Sequence, residues 1–458
     1  MTQRRAPALW PPDAMDTRDT YLSAFAEFEQ TAGGQGPAWL QGLRRQAIAC
    51  FADVGFPSTR LEDWRYTNVA PITKTPFVPV LAPHGNGLTL DWLEQATASA
   101  QASTRLVLVD GHISTELSSL HQLPAGVEVA GLAAAVGGTA ATLEAHLSRY
   151  ARTDQNGFVA LNTAFLQDGA FVRVSRGTRV ETPTHLVFVS TTHGRPTVSH
   201  PRTLIVVEED AQATIVESYV GVGDGVYFTN AVTELVAGQN AVVEACKLAQ
   251  EAPSAFHVAT LAVHQDRNST VTCHSFSLGG GLVRNDVRAV LDGEGSESTL
   301  NGLFLADGRA HVDNHTIIDH VSPHGTSHEL YKGVLGGNAT GIFNGRIRVQ
   351  QHAQKTSAQQ ANHNLLLSGD AQINTNPQLE ICADDVKCYH GSTIGQLDAD
   401  ALFYLRSRGI DLGAARTLLT YAFASEMVSR LTFEPLRARL DQLLRTRLPR
   451  AAELDEAS

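Results

Sequence analysis

The sequence predicts a mainly β core between two helical ends, and three observations predict it. From about residue 106, short apolar runs such as RLVLVD, HLVFVST, TLIVVEE and NAVTELVAG recur between Gly, Asp, Asn and Pro. No long helical pattern interrupts the stretch 171–394, whereas helical spacing marks the residues before and after the β runs. Of 458 residues, 38 are Gly, only 3 are Met and 18% are charged, which suits many turns and few long solvated helices. A hydrophobic content of 43% argues against a disordered chain. The charge balance, 35 − 47 = −12, argues against a broad nucleic-acid surface or a polybasic membrane anchor.

At the N-terminal end, 16–54 reads as two amphipathic helices. Tyr21, Phe25 and Phe28 recur at helical spacing, then a Gly-rich break at 33–36 precedes Trp39, Leu40 and Leu43. The segment RLEDWRYTNV at 60–69 mixes charge with Trp64 and Tyr66, and is expected to pack irregularly against another element. Residues 71–105 read as a variable connector, so the first unit is 1–105, an N-terminal helical domain with its connector.

The second unit is 106–394. Candidate strands begin near 271, 286, 298, 311, 329, 341, 362, 378 and 386, as short strands joined by tight turns would. A sandwich, a propeller or a β-solenoid would all fit that spacing. A solenoid is preferred because STLNGLFLA, GIFNGRIRV and AQINTNPQLEI are apolar on alternate positions with Asn, Thr, Ser and Gly between. Stacked coils bury one side-chain parity and tolerate polar corners. No repeat of fixed length is visible, which keeps a large sandwich in contention.

The third unit, 395–458, returns to helix: ADALFYLRSRGI, DLGAARTLLTYAFASEMVSRL and FEPLRARLDQLLRTRL. Gly409 stands where a helix would end and Asp411 could cap the next. Leu418, Leu419, Ala422 and Met427 form an expected apolar face, and the tail AAELDEAS is expected to fray.

Cysteines at 50, 246, 273, 382 and 388 are odd in number and scattered, unlike a disulfide-stapled secreted scaffold. The start MTQRRAPALWPPDAMD lacks an apolar h-region, and no stretch approaches 18 uninterrupted apolar residues, so a soluble cytoplasmic protein is expected. No G-x-x-x-x-G-K-[ST], G-x-S-x-G or H-E-x-x-H occurs, so ATP hydrolysis through a P-loop is not expected. GGGLVRND at 279–286 leads into strand-like residues and reads as a β-turn.

Two clusters carry candidate chemistry. His311, His315, His320, His324 and His328 fall within 18 residues, and His311 and His315 would share one face of a strand. They could bind a transition metal, but hydrogen bonding to Asp313, Asn314 and Asp319 on solvent-facing rungs is the preferred reading. In Cys388-Tyr389-His390 a strand would place the thiol and the imidazole on one side and Tyr389 on the other. Two ligands make an incomplete site, so further donors would come from elsewhere in the chain or from a partner. Cys50, Cys246 and Cys273 read as core residues, and Asp384-Asp385 as a solvated turn more than as the carboxylate pair of a glycosidase.

Several of these stretches together resemble one family, the SufB/SufD proteins of the SUF iron–sulfur cluster assembly system. They are RLEDWRYTNV at 60–69, ALNTAFLQDGAFVRV at 160–174, LNGLFLADGRAHVDNHTIIDH at 300–320, SHELYKGVL at 327–335 and ADDVKCYHGSTIGQLDADALFYLRSRGI at 383–410. The LEDWRYTNV segment and the DDVKCYHG form point to the SufD side of that family. The resemblance implies a right-handed parallel β-helix flanked by helical domains. It implies a non-catalytic scaffold subunit of a SufBCD complex, pairing with SufB through the β-helix and with the SufC ATPase through the C-terminal helices, with ATP hydrolysed in SufC. On that reading His390 matches the family histidine at the SufB–SufD interface, and Cys388 the neighbouring cysteine, beside a transient Fe–S cluster. A reduced flavin in the assembled complex is a further implied cofactor. Phe403, Tyr404, Arg406, Arg408 and Gly409 are the expected SufC contacts, since aromatic and Arg side chains make effective anchors. The alternatives are a SufB-like cluster scaffold, a β-helix carbohydrate-active enzyme, or a homodimer in isolation.

Overall fold

The computed structural model describes residues 17–31, 34–81, 87–97, 104–121, 123–192 and 194–448. The expectations for MTQRRAPALWPPDAMD and for the tail AAELDEAS lie outside the described residues.

The core is a β-solenoid of about eight turns, so the solenoid and not the sandwich is the fold. Each turn contributes one strand to each of two facing sheets. One sheet runs from Val127–Gly131 through Arg202–Val207 and His311–His320 to Gln372–Ile381, and the other from Thr104–Val109 through Val242–Gln250 to Lys387–Gly395. Pairing within the stack is parallel, as in Glu297 with Thr326, Thr326 with Ser357 and Ser357 with Lys387. These partners lie 29, 31 and 30 residues apart, and this variation is why no fixed repeat is visible in the sequence. Antiparallel pairs occur only at the first end among the described residues, between Val127–Gly131 and Gly169–Val174 and between Thr104–Val109 and His112–Ile113. Most expected strand starts fall within a few residues of the observed ones. The two largest offsets arise where a strand opens on polar residues, at Ser357–Leu366 and Gln372–Ile381.

Alternation decides what each strand buries. In both sheets one parity fills the lumen, with Ile205, Leu235, Ile318 and Ile347 facing Ile215, Val243, Cys273 and Ala358. At one corner of six successive coils the backbone turns through a left-handed residue: Asp210, Asn240, Asn268, Gly295, His324 and Lys355 all have φ between 55° and 70°. Each donates its N–H to the coil above, for example Asn240 to Arg267 O and His324 to Gln354 O. Asn, Asp and Gly tolerate this conformation, which gives the polar corner residues their structural reason.

Three helices, Leu132–Gly138, Ala140–His146 and Gly157–Ala164, lie within the 106–394 span. The last packs with Thr17–Gln30 and Ala38–Val54 in one aromatic cluster, in which Tyr21, Phe25, Phe28, Phe51, Phe158 and Phe165 cover the outer face at Phe228, Val258 and Leu282. The RLEDWRYTNV segment does pack irregularly. It makes one 3-10 turn, Glu62–Trp64, that seats Trp64 against Phe158 at 5.5 Å and under the Arg284 guanidinium at 3.7 Å.

At the other end, Ala399–Ser407 leads into Leu412–Ser429 and Glu434–Arg447. Gly409 has φ 87° between the first two, and Asp411 accepts the N–H of Ala414 at 2.9 Å, so both expected caps are present. The expected face of Leu412–Ser429 is partly wrong. Leu418 and Ala422 point to solvent, and the buried side is Gly413, Ala415, Thr420, Ala424, Met427 and Val428. That helix is apolar around most of its girth, so periodicity alone does not select a face. The buried side sits on the outer face of the second sheet at Cys246, Leu248, Phe276, Leu303 and Val334. Among the described residues no helix is long and apolar enough to cross a membrane.

Candidate functional site

The solenoid ends on two strands that each pair on one side only. Gln372–Ile381 pairs with Thr340–Val349, and Lys387–Gly395 with Ser357–Leu366. Among the described residues no strand pairs with their other edges, which present backbone N–H and C=O groups in the arrangement that accepts strands of another chain. Ile381, Tyr389 and Ile394 add exposed apolar surface there, Tyr389 being 63% exposed. Asp384 and Asp385 lie in the corner between these two strands, and Asp385 is ion-paired with Lys355.

Register fixes the direction of the side chains in the last strand. Cys388 stands over Ala358, His390 over Gln360 and Ser392 over Asn362, all lumen-facing partners. Tyr389 stands over the exposed Gln359. Cys388 and His390 therefore share the inward side at the mouth of the lumen, with Tyr389 opposite. Cys388 packs against the interior cluster. Burial pushes its thiol pKa up, partly offset by the N–H of Ala358, and the net rise keeps the sulfur protonated at neutral pH. Cys382 is exposed in the preceding corner. Cys246 and Cys273 are buried, Cys246 beneath the C-terminal helices and Cys273 in the lumen, and Cys50 is half-buried.

The histidine group is dispersed. His311 Nε2 lies 2.9 Å from Thr67 Oγ1 and His315 Nε2 lies 3.0 Å from Asp313 Oδ1, both on the outer face. His320 is buried inside and bonds Ser327 Oγ at 2.9 Å, and His324 is a corner residue. The expectation that all five line solvent-facing rungs is corrected for His320, because even numbering in that strand faces the lumen. Among the described residues no three His, Cys, Asp or Glu side chains converge as a metal site.

The segment expected to contact a partner is open to solvent. Helix Ala399–Ser407 buries none of its residues, with Phe403 74% and Tyr404 55% exposed. Both rings stand mostly in solvent and are not covered by the neighbouring helix. Arg408 lies over Tyr404 at 4.6 Å, and Arg406 and Gly409 are exposed beside it.

Sequence reasoning missed what lies behind His390. Glu329 and Gln360 occupy the two preceding rungs of the same file, 61 and 30 residues earlier. The coil length, once known, is the signal that would have found them. It also missed Arg284, which joins Trp64 and the backbone oxygen of Asp63 at 2.8 Å to Asp313 at 2.6 Å.

Two family models match the chain: "SUF system FeS cluster assembly, SufBD core domain" over residues 188–423 and "SufBD protein N-terminal region" over residues 15–186. An iron–sulfur cluster assembly SufBD family protein of Synechocystis sp. is 34% identical over 94% of this chain and 95% of its own. The iron–sulfur cluster assembly protein SufD of Escherichia coli is 33% identical over 87% of this chain and 90% of its own. Protein ABCI7, chloroplastic, of Arabidopsis thaliana is 31% identical over 87% and 84%.

Proposed function

The chain belongs to the SufBD family of SUF-system iron–sulfur cluster assembly proteins and is SufD-like, and from that premise we propose that it is a non-catalytic scaffold subunit that pairs with SufB and with the SufC ATPase. The observation that carries this reading is the open end of the solenoid. Two unpaired strand edges flank Cys388 and His390 at the lumen mouth, and the pair supplies too few donors to enclose a cluster alone. A second solenoid added edge to edge would cover Ile381, Tyr389 and Ile394 and bring the missing ligands. In that setting the cluster is cargo. His390 offers an imidazole nitrogen, and Cys388 a thiol that ligates once deprotonated.

The C-terminal helices suit a mechanical role. Leu412–Ser429 is fixed to the solenoid wall by the hydrophobic seam at Leu248, Phe276 and Val334 and by Lys332, which pairs with Glu426 at 2.5 Å and lies over Phe423 at 4.3 Å. Ala399–Ser407 joins the last rung directly to that seam and leaves Phe403 and Tyr404 outside. A SufC subunit gripping those rings would pull on the strand that carries His390, so motion driven by ATP in SufC would reach the interface through a few covalent links.

Co-expression with SufB and SufC, anaerobic isolation, and iron and sulfide analysis with and without His390→Ala test the proposal. The expected result is an assembled complex whose iron and sulfide drop in the variant. A variant complex that fills as fast as the parent defeats the ligand assignment, and failure to co-purify with SufB and SufC defeats the scaffold reading.

A further inference from the structure

Behind His390 the lumen carries a short polar file. Glu329, Gln360 and His390 are in register on three successive rungs of one sheet, and Glu329 and Gln360 are buried. Gln360 Nε2 donates to Glu329 Oε2 at 2.6 Å. That bond orients the amide, because its nitrogen is committed to the carboxylate below. Gln360 Oε1 is buried with no hydrogen-bond partner among the described residues. An orphaned buried carbonyl is rare enough to need a reason.

The facing sheet makes room for this amide. A Cβ on Gly345 would lie 2.4 Å from Gln360 Nε2 and 2.9 Å from its Cδ. Any larger residue there would expel the side chain from its present position. The next residue along the file is His390, and a neutral imidazole has one N–H to give and one bare nitrogen.

We propose that Gln360, oriented by Glu329, is a positioning residue for His390: its Oε1 accepts one imidazole N–H, selects the tautomer and turns the other nitrogen toward the open end of the solenoid. A ligating histidine held in this way through its second nitrogen is pre-oriented and more basic toward metal. The inference rests on the reading of His390 as an interface ligand, and its test separates the two.

The full chain, labelled with 15N at histidine side chains and assigned with a His390→Gln variant, reports the tautomer of His390 directly by NMR. In the parent, His390 is expected as a single tautomer. Gln360→Met keeps the volume and removes the acceptor, and is expected to give a tautomer mixture. Glu329→Gln, which loosens the orientation of Gln360 without emptying the lumen, should move that readout part of the way, and it decides the matter if Gln360→Met does not fold. In the complex with SufB and SufC, iron retained after chelator challenge should fall about tenfold in Gln360→Met. An unchanged tautomer in the folded variants overturns the positioning role whatever the iron content. Normal filling of a His390→Ala complex overturns the ligand reading and leaves the NMR result standing.

Discussion

Arg202 Nη2 lies 2.6 Å from Glu234 Oε2, and both side chains are completely buried between the solenoid wall and the helix Gly157–Ala164. Glu234 also accepts the backbone N–H groups of Ser148, Tyr150 and Ala151, while Arg202 reaches Asn162, Thr163 and Ser148. One ion pair thus ties the layer formed by the helix Gly157–Ala164 and the segment before it to the solenoid wall. A buried pair adds little net stability over an apolar substitute, but breaking it strands a charge. Arg202→Met is expected to cost about 3–5 kcal/mol, measured by urea unfolding. A loss near zero would show that the pair does not hold the layer.

Asp313 sits under Thr67, whose Oγ1 donates to it at 2.5 Å, and beside Arg284 at 2.6 Å. Burial alone would raise its pKa, but Arg284, His315 and Thr67 outweigh burial and hold the carboxyl well below the usual range. A depressed folded pKa contributes stability above the unfolded value, and that stability is lost as pH falls toward the folded one. Asp313→Asn should therefore be clearly less stable than the parent at neutral pH, with the gap narrowing below about pH 4. Thermal melts from pH 3.5 to 7 read this, and a constant gap would contradict the assignment.

Glu329 titrates in the opposite sense. Burial pushes its carboxyl up to about 7, against the smaller pull of hydrogen bonds from Thr316 and Gln360. A raised folded pKa gives its full stabilisation below the unfolded value near 4.3, and this is lost as pH rises through about 7. Glu329→Gln removes that slope, so between pH 5 and pH 8 the variant should lose about 3 kcal/mol less than the parent. Parallel stability curves for the two proteins would count against a buried, titrating Glu329.

Phe403 and Tyr404 touch little of their own chain, so truncating them should leave the fold alone. The double variant Phe403→Ala/Tyr404→Ala is expected to change unfolding stability by no more than about 0.5 kcal/mol. Its retention of SufC in a pull-down or by calorimetry should weaken at least about tenfold. Undiminished SufC binding would move the proposed contact off this helix.

Much of the architecture was legible because its signals are local. The alternation in STLNGLFLA and GIFNGRIRV, the helical spacing of Tyr21, Phe25 and Phe28, and the caps at Gly409 and Asp411 each act within a few residues, and all correspond to observed elements. Parity alone placed Cys388 and His390 on one side of a strand, and the register agrees. The apolar face of Leu412–Ser429 was misjudged because that helix has too few polar residues to mark a solvent side.

The sequence by itself determined the β and helical zones, the family, and the candidate pair Cys388 and His390. Only the tertiary structure decided which residues stand beside them: Gln360 and Glu329 behind His390, Arg284 between Trp64 and Asp313, Glu234 against Arg202. The reason is geometric. Neighbours on adjacent rungs are separated by a whole coil, which runs 29 residues in one turn and 32 in another, as in His311 to Thr340 and Thr340 to Gln372. Hydrogen bonds between coils set that register, and no local pattern carries it.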